Sequence, residues 1–240
     1  MQLNNMKYYS HIHNVRLLQY IYRMKRFFIA AASAVLIITA VLCGCSGKMD
    51  YTKFISEKRS AIFLYKDDTC DLKINCVSRE EPFNSDGICG DMCDLIEVFV
   101  SFDRNPETVE ISLNGHSGEM NFEAVEQRFS LTFTSPAIEG DGVDVQLTLD
   151  GATKSVRALS VLDKGVLSCE EALICAVEHD RALFESLTDR RDFAGEIYIR
   201  LLYDDGCYYY VGVCDRDKNI TAYLLDGGVG KVIASKKING

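Results

Sequence analysis

The sequence predicts a mainly β protein in which an antiparallel β-sandwich (60–162) precedes a small α+β domain (166–240). Apolar and polar residues alternate in segment after segment of the first region, which is the period of strands with one buried face. The dipeptides Asn114–Gly115 and Asp150–Gly151 separate such segments and favour tight hairpins. In the second region a helical pattern precedes four alternating segments, which indicates a helix packed on an antiparallel sheet.

The first 44 residues have the organisation of a secretory signal. Lys25 and Arg26 precede an apolar run, Phe27–Leu42, and the run ends at Gly44 and Cys45. A basic segment, a short apolar segment and a small residue at the cleavage position are typical of such signals. A transmembrane helix needs about 20 apolar residues, so an uncleaved anchor is the less favoured alternative.

The segment Leu42-Cys43-Gly44-Cys45 resembles the lipobox of bacterial lipoproteins. The resemblance implies cleavage between Gly44 and Cys45, a palmitate-type acyl group on Cys45, and attachment to the outer face of the cell membrane. Residues 45–59 would then be a lipidated tether. Met24 begins a more typical signal than Met1 does, so either Met24 is the true start or the basic segment is unusually long.

The charge of the chain limits its partners. The formal charge of −9 becomes −14 when the five basic residues before Cys45 are removed with the signal. Nucleic acid and anionic lipid surfaces both attract basic protein surfaces. We therefore expect no nucleic-acid partner, and we expect membrane contact through the N-terminal lipid alone.

About seven short strands are predicted between residues 60 and 162. Such regular spacing favours a β-sandwich with Ig-like architecture, although the chain has no tryptophan and therefore lacks the Cys…Trp…Cys core of true Ig domains. The predicted strands are Ala61–Lys66, a segment around Leu72–Cys76, Ile96–Phe102, Val109–Leu113, Phe129–Phe133, Val143–Leu149 and Thr153–Val161.

The longest irregular stretch of the predicted sandwich is Arg79–Cys93. Long loops on β scaffolds often carry binding residues, so this stretch is either a recognition loop or a plain crossover between sheets. Arg79 and Phe83 are its candidate interaction residues. Tyr208 and Tyr210 are further candidates, because alternation on a strand places both on one face as a platform for a sugar or a peptide, with Tyr209 turned towards the helix.

The C-terminal region begins with a helix signal. Ser168 followed by Glu171 is a capping box, and the apolar stripe after it predicts one helix that reaches about Leu187. Four strands are predicted after the helix: Ile197–Tyr203, Cys207–Cys214, Ile220–Asp226 and Lys231–Lys237.

This C-terminal pattern resembles PepSY-like and cystatin-like domains of exported bacterial proteins. The resemblance rests on the segments Tyr208–Val213, Ala222–Asp226 and Gly230–Ile233. It implies a module that binds proteins or regulates peptidases, without catalytic activity of its own.

Eight cysteines follow Cys45, an even number that would suit disulfides in an exported protein. Neighbouring pairs are badly spaced for bridging, and only Cys89 and Cys93 are placed to close locally. We therefore favour small buried thiols over a disulfide framework. No zinc-type spacing is present, so we expect no metal site.

The chain has no Gly-x-Ser-x-Gly, P-loop or His-Glu-x-x-His motif. The sequence thus predicts a cell-envelope lipoprotein that binds or regulates an envelope protein or peptide, without cofactors and without catalysis. An envelope hydrolase with a site between the two domains and a small-ligand-binding lipoprotein are the alternatives.

Overall fold

The computed structural model describes residues 49–104, 106–190 and 192–240. Asp50–Gly240 forms one compact unit, and its strands outweigh its helices, so the predicted mainly β fold is confirmed. The predicted signal, with Gly44 and Cys45, lies outside the described residues. No helix in the described part of the chain has the length and apolar character to cross a membrane.

The seven strands predicted between residues 60 and 162 are all present. Two short polar strands, His116–Glu119 and Asn121–Glu123, accompany them. These two strands contain too few apolar residues to show an alternating pattern. The observed strands are β1 (Ile55–Lys66), β2 (Cys70–Glu80), β3 (Met92–Phe102), β4 (Val109–Leu113), β5 (His116–Glu119), β6 (Asn121–Glu123), β7 (Arg128–Thr134), β8 (Gly142–Leu149) and β9 (Ala152–Ser160).

These nine strands curl into one nearly closed, barrel-like sheet, so an Ig-like sandwich is not confirmed. The hydrogen-bonded path runs β5-β4-β8-β9-β1-β2-β3-β7-β6. The two ends of the curl meet where His116 of β5 stacks on Phe133 of β7, with ring centroids 5.3 Å apart. The sheet stays continuous because the twelve-residue strand β1 pairs with both β2 and β9.

The apolar side chains, which occupy every second position of these strands, fill the inside of the curled sheet, as the alternation predicts. Leu72, Ile74, Ile96, Val98 and Leu147 are each 0% exposed and belong to one core cluster. Burial of this kind is the main stabilising contribution in a sheet fold.

The predicted hairpin dipeptides are confirmed in their backbone conformation. Asn114 and Gly115 have φ values of 48° and 80°, and Asp150 and Gly151 have values of 49° and 84°. Two consecutive residues with positive φ define the type I′ hairpin turn that such dipeptides favour.

The C-terminal elements follow the predicted order of a helical segment and four strands. They are α1 (Cys169–His179), α2 (Arg181–Ser186), the short hairpin of β10 (Thr188–Asp189) and β11 (Asp192–Phe193), then β12 (Gly195–Tyr203), β13 (Cys207–Asp215), β14 (Ile220–Asp226) and β15 (Val232–Ile238). A 3₁₀ turn, Tyr51–Phe54, precedes β1.

The single helix predicted to reach Leu187 is wrong in one respect, because the chain forms two helices with a break at Asp180. The capping box at the start of α1 is confirmed, since Ser168 and Glu171 exchange both of its hydrogen bonds. Asp180 has non-helical φ and ψ of −128° and 58°. Its side chain accepts a hydrogen bond from the Leu183 N–H and so caps α2.

Strand β1 also connects the barrel to the C-terminal sheet. Its first residues pair in parallel with β12, the one parallel pair in a sheet of the described residues that is otherwise antiparallel. Residues 55–59, which the sequence places in the tether, are therefore the start of this strand. The predicted boundary (162–166) falls between β9 and α1, and the division into two domains stays a prediction.

The helices pack on one face of the C-terminal strands. Tyr209 lies on that face and donates a hydrogen bond to the Leu167 carbonyl oxygen at 2.5 Å. Tyr223 lies there too and donates to Asp180 at 2.8 Å. Tyr208 and Tyr210 consequently lie on the opposite face, as the alternation predicts.

Candidate functional site on the arginine–aromatic face

Strand register brings three chain segments together on the face that the helices leave uncovered. Arg200 of β12 lies opposite Tyr210 of β13 in antiparallel register, and Arg59 of β1 lies opposite Arg200 in parallel register. Directly opposed residues share a face of the sheet. The neighbouring strand β2 adds Arg79, which lies opposite Glu57 of β1.

A chain of contacts links Arg79, Phe83, Tyr198, Arg200 and Tyr210 on this face. The guanidinium of Arg200 lies 5.6 Å from the ring centroid of Tyr198 and 5.5 Å from that of Tyr210. Phe83 meets Tyr198 edge-on with centroids 6.0 Å apart, and Arg79 lies 5.6 Å from the Phe83 ring. We call this surface the arginine–aromatic face; it consists of Arg59, Arg79, Phe83, Tyr198, Arg200 and Tyr210.

Two carboxylates pair with two of the three arginines. Arg200 donates to Glu57, whose side chain is only 4% exposed. Arg79 donates to Glu97 at 3.2 Å. Burial is the largest single influence on Arg200 and lowers its pKa, but the hydrogen bond that Arg200 donates to Glu57 and the charge of that carboxylate together leave the pKa raised. For Arg59 burial dominates and lowers the pKa.

The predicted irregular stretch is shorter than expected, because Arg79 and Glu80 end β2 and Met92 and Cys93 begin β3. Residues 81–91 form the loop of this antiparallel hairpin and do not cross between sheets. The loop lies against the face and brings Phe83 to it.

Glu80, 4% exposed, accepts hydrogen bonds from the Asn84 N–H at 3.2 Å and the Gly90 N–H at 2.6 Å. The Gly87 N–H donates to Glu196 at 3.1 Å, and the Tyr198 hydroxyl donates to the same oxygen at 2.6 Å. Buried carboxylates therefore hold the loop at Asn84, Gly87 and Gly90.

Gly87 is required at the tip of this loop. Its φ is +78°, and a Cβ atom there would lie 2.6 Å from the carbonyl carbon of Asp215. Only glycine permits both the left-handed backbone and so close an approach to β13. The loop is thus fastened to the sheet at Gly87, and Phe83 keeps a defined position with 38% of its surface exposed.

Three of the four predicted interaction residues, Arg79, Phe83 and Tyr210, meet on the arginine–aromatic face. Tyr208 lies on the same face of β13 but pairs with Leu202 and Asp226 instead. Sequence reasoning missed Arg59, Tyr198 and Arg200. The sequence of β12 indicated Tyr198 and Arg200, because they alternate with the apolar residues Ile197, Ile199 and Leu201 and therefore lie on the opposite side of the strand.

The remaining polar features offer weaker sites. A depression of about 490 Å³ lies over β4, β8 and β9, but its charged residues Asp144 and Arg157 pair with each other at 3.1 Å. The eight cysteines of the described region are free thiols, and burial raises the pKa of Cys169 to about 12. Within the described ranges, no group of three or more His, Cys, Asp or Glu residues is arranged to hold a metal ion.

Comparison with protein-family models, curated proteins and solved structures finds no match to this chain.

Proposed function

We propose that this protein is a lipoprotein of the cell envelope whose folded unit binds a protein or peptide through the arginine–aromatic face and catalyses no reaction. A lipid on Cys45 holds the chain at the outer face of the cell membrane. The nine residues from Ser46 to Phe54 separate that lipid from the first strand, which begins at Ile55.

The observation that carries the proposal is the contact chain from Arg79 through Phe83, Tyr198 and Arg200 to Tyr210. Tyrosine and arginine are enriched among residues that dominate binding energy at protein interfaces. Here four of the five lie on or beside regular strands, and buried carboxylates hold the loop that carries the fifth. Side chains held this firmly lose little conformational entropy when a partner binds.

The chemistry of this surface supports binding without catalysis. Guanidinium groups do not exchange protons near neutral pH. Burial raises the pKa of Tyr198 and also that of Tyr210, which moves both phenols further from the physiological range. The PepSY-like resemblance of the C-terminal strands points to the same class of function.

The proposal is tested by site-specific photo-crosslinking in cells that produce the full chain. A photoreactive phenylalanine analogue is placed at Phe83, at Tyr208, or at the control Val125, which is 92% exposed in the turn between β6 and β7. We expect a discrete adduct of one partner from Phe83 and Tyr208 and none from Val125. Identical adduct patterns from all three positions, or no adduct from the face, would overturn the proposal.

A further inference from the structure

Arg59 differs from the other charged residues of the arginine–aromatic face, because its guanidinium has no partner in the part of the chain that the structure describes. Its Nε atom is buried and makes no hydrogen bond. Within residues 49–104, 106–190 and 192–240, no carboxylate lies within ion-pair distance of its side chain. Arg59 is also only partly exposed, so bulk water does not fully solvate its charge.

Both nearby carboxylates are engaged elsewhere. Glu57 accepts from Arg200, and Glu97 accepts from Arg79 at 3.2 Å and from the Asn75 amide at 3.4 Å. Glu80 and Glu196, the other buried carboxylates near the face, accept from backbone N–H groups of the loop and from the Tyr198 hydroxyl. Arg59 is therefore the one guanidinium of the face, among the described residues, without a carboxylate partner.

A further cation lies on the same side of β2 as Arg79. Lys73 lies two residues from Asn75 along the strand and is partly buried. Its pKa is lowered first by burial and then by the charges of Arg59 and Arg128. The cations on this side of the sheet thus repel one another, and an added anion would relieve that repulsion.

Burial without a partner is costly for an arginine. The guanidinium cannot become neutral by losing its proton, and a partly buried charge is stable only when paired or hydrogen-bonded. Its planar donors match the two oxygens of a carboxylate in a bidentate pair. A single glutamate side chain placed at Arg59 brings one negative charge close to Glu57 and Glu97, whereas a phosphate placed there brings up to two.

We propose that Arg59 binds a carboxylate of the peptide or protein ligand, with the aromatic rings of Phe83 and Tyr210 contacting the adjoining residues of that ligand. This inference rests on the proposed function and specifies its ligand as an acidic segment. Arg200 and Arg79 take a different role, since each neutralises a carboxylate of the protein itself.

The test measures binding of acetyl-hexaglutamate to the full-length chain in detergent by isothermal titration calorimetry. Acetyl-hexaglutamine and inorganic phosphate serve as comparison ligands. We expect saturable binding of hexaglutamate and about thirty-fold weaker binding by Arg59→Gln, the range seen when one member of a desolvated charge pair is removed. The matched control is Arg157→Gln, an exposed arginine of β9 paired with Asp141 and Asp144, and it should leave the affinity unchanged.

The stability of the variants separates a binding role from a structural one. Because Arg59 has no ion-pair or hydrogen-bond partner among the described residues, Arg59→Gln should melt no lower than the parent chain. Arg200→Gln should melt lower, because it leaves the buried Glu57 unpaired. Arg59→Lys keeps the charge without the bidentate geometry and should bind hexaglutamate with intermediate affinity.

Three results would overturn the inference: absent hexaglutamate binding, equal binding by Arg59→Gln and the parent chain, or equal affinity for phosphate and hexaglutamate. If one of these results is obtained but a partner is still crosslinked at Phe83, the inference about Arg59 is wrong and the proposed function is retained. Hexaglutamate binding at Arg59 without any crosslinked partner would instead count against the proposed function.

Discussion

At the residue scale, Asp67 shows how one carboxylate closes a hairpin. Its side chain accepts hydrogen bonds from the backbone N–H groups of Thr69 at 2.9 Å and Cys70 at 3.0 Å. It also accepts from Lys154 at 2.5 Å and from the Tyr65 hydroxyl at 2.6 Å. The Lys154 hydrogen bond, followed by those of Tyr65 and Thr69, holds the Asp67 pKa far below its ordinary value.

This depressed pKa predicts an acid-dependent loss of stability that Asp67→Asn should reduce. The folded state favours the ionised form, so the contribution is present above the unfolded pKa of about 3.9 and is lost as the pH falls. Urea unfolding between about pH 6 and pH 2 measures it. The parent chain should lose more stability on acidification than Asp67→Asn, while the exposed neighbour Asp68→Asn should follow the parent. Parallel curves for all three proteins would refute the assignment.

A second prediction at this scale concerns Cys45, which lies outside the described residues. Cys45→Ala should abolish lipid addition, because alanine has no sulfur to carry the acyl group, and should shift the chain from the membrane to the soluble fraction. Cell fractionation and intact-mass analysis measure both effects. Cys43→Ala is the matched control and should stay membrane-bound. A lipid-sized mass on Cys45→Ala would show that the anchor lies elsewhere.

At the scale of elements, the break between α1 and α2 is stabilised by one residue with two roles. Asp180 caps α2 through the Leu183 N–H at 3.1 Å and accepts a hydrogen bond from Tyr223 of β14 at 2.8 Å. The turn between the helices is thereby tied to the sheet. A single longer helix would lose both interactions.

Asp180→Ala should therefore lower the free energy of unfolding by about 2 kcal/mol, roughly half from the lost cap and half from the lost hydrogen bond. Urea unfolding of the full chain in detergent measures the change. Tyr223→Phe removes only the second interaction and should cost about 1 kcal/mol. If Asp180→Ala costs no more than Tyr223→Phe, the capping role is wrong.

At the scale of the whole molecule, β1 connects the barrel-like sheet to the C-terminal strands. Ile55 and Lys58 pair with Ile197 and Ile199 of β12, and the same strand pairs with β2 along nearly all its length. Unfolding of either half would remove hydrogen-bonded partners from the other. Cooperative units follow such shared contacts.

We therefore expect residues 50–240 to unfold as one unit. Ile197 is 0% exposed beside β1, and Ile197→Ala should lower the free energy of unfolding by about 3 kcal/mol. Hydrogen exchange followed by mass spectrometry in increasing urea measures this. Within each protein, β2 and β13 should lose protection at one common urea concentration, and that concentration should be lower for Ile197→Ala than for the parent chain. Separate concentrations for the two strands would instead support independent domains divided at 162–166.

The local structure of this protein is largely determined by its sequence. Alternation predicted eleven strands, and the capping box and both hairpin dipeptides appear in the structure as predicted. Each of these signals acts through neighbouring residues, either by side-chain parity or by preferred φ values. Short polar strands such as β5 escaped prediction because they have too few apolar residues to show parity.

The tertiary structure alone decided how those strands associate. The curl of β1–β9 into one sheet, the parallel pairing of β1 with β12 and the burial of Glu57 all depend on partners distant in sequence. Alternation identifies which face of a strand is buried, but it does not identify the strand beside it. Arg59, Arg200 and Tyr210 therefore meet because of the pairing register between distant strands. The sequence by itself determines only that each of them lies on the side of its strand opposite to the apolar residues.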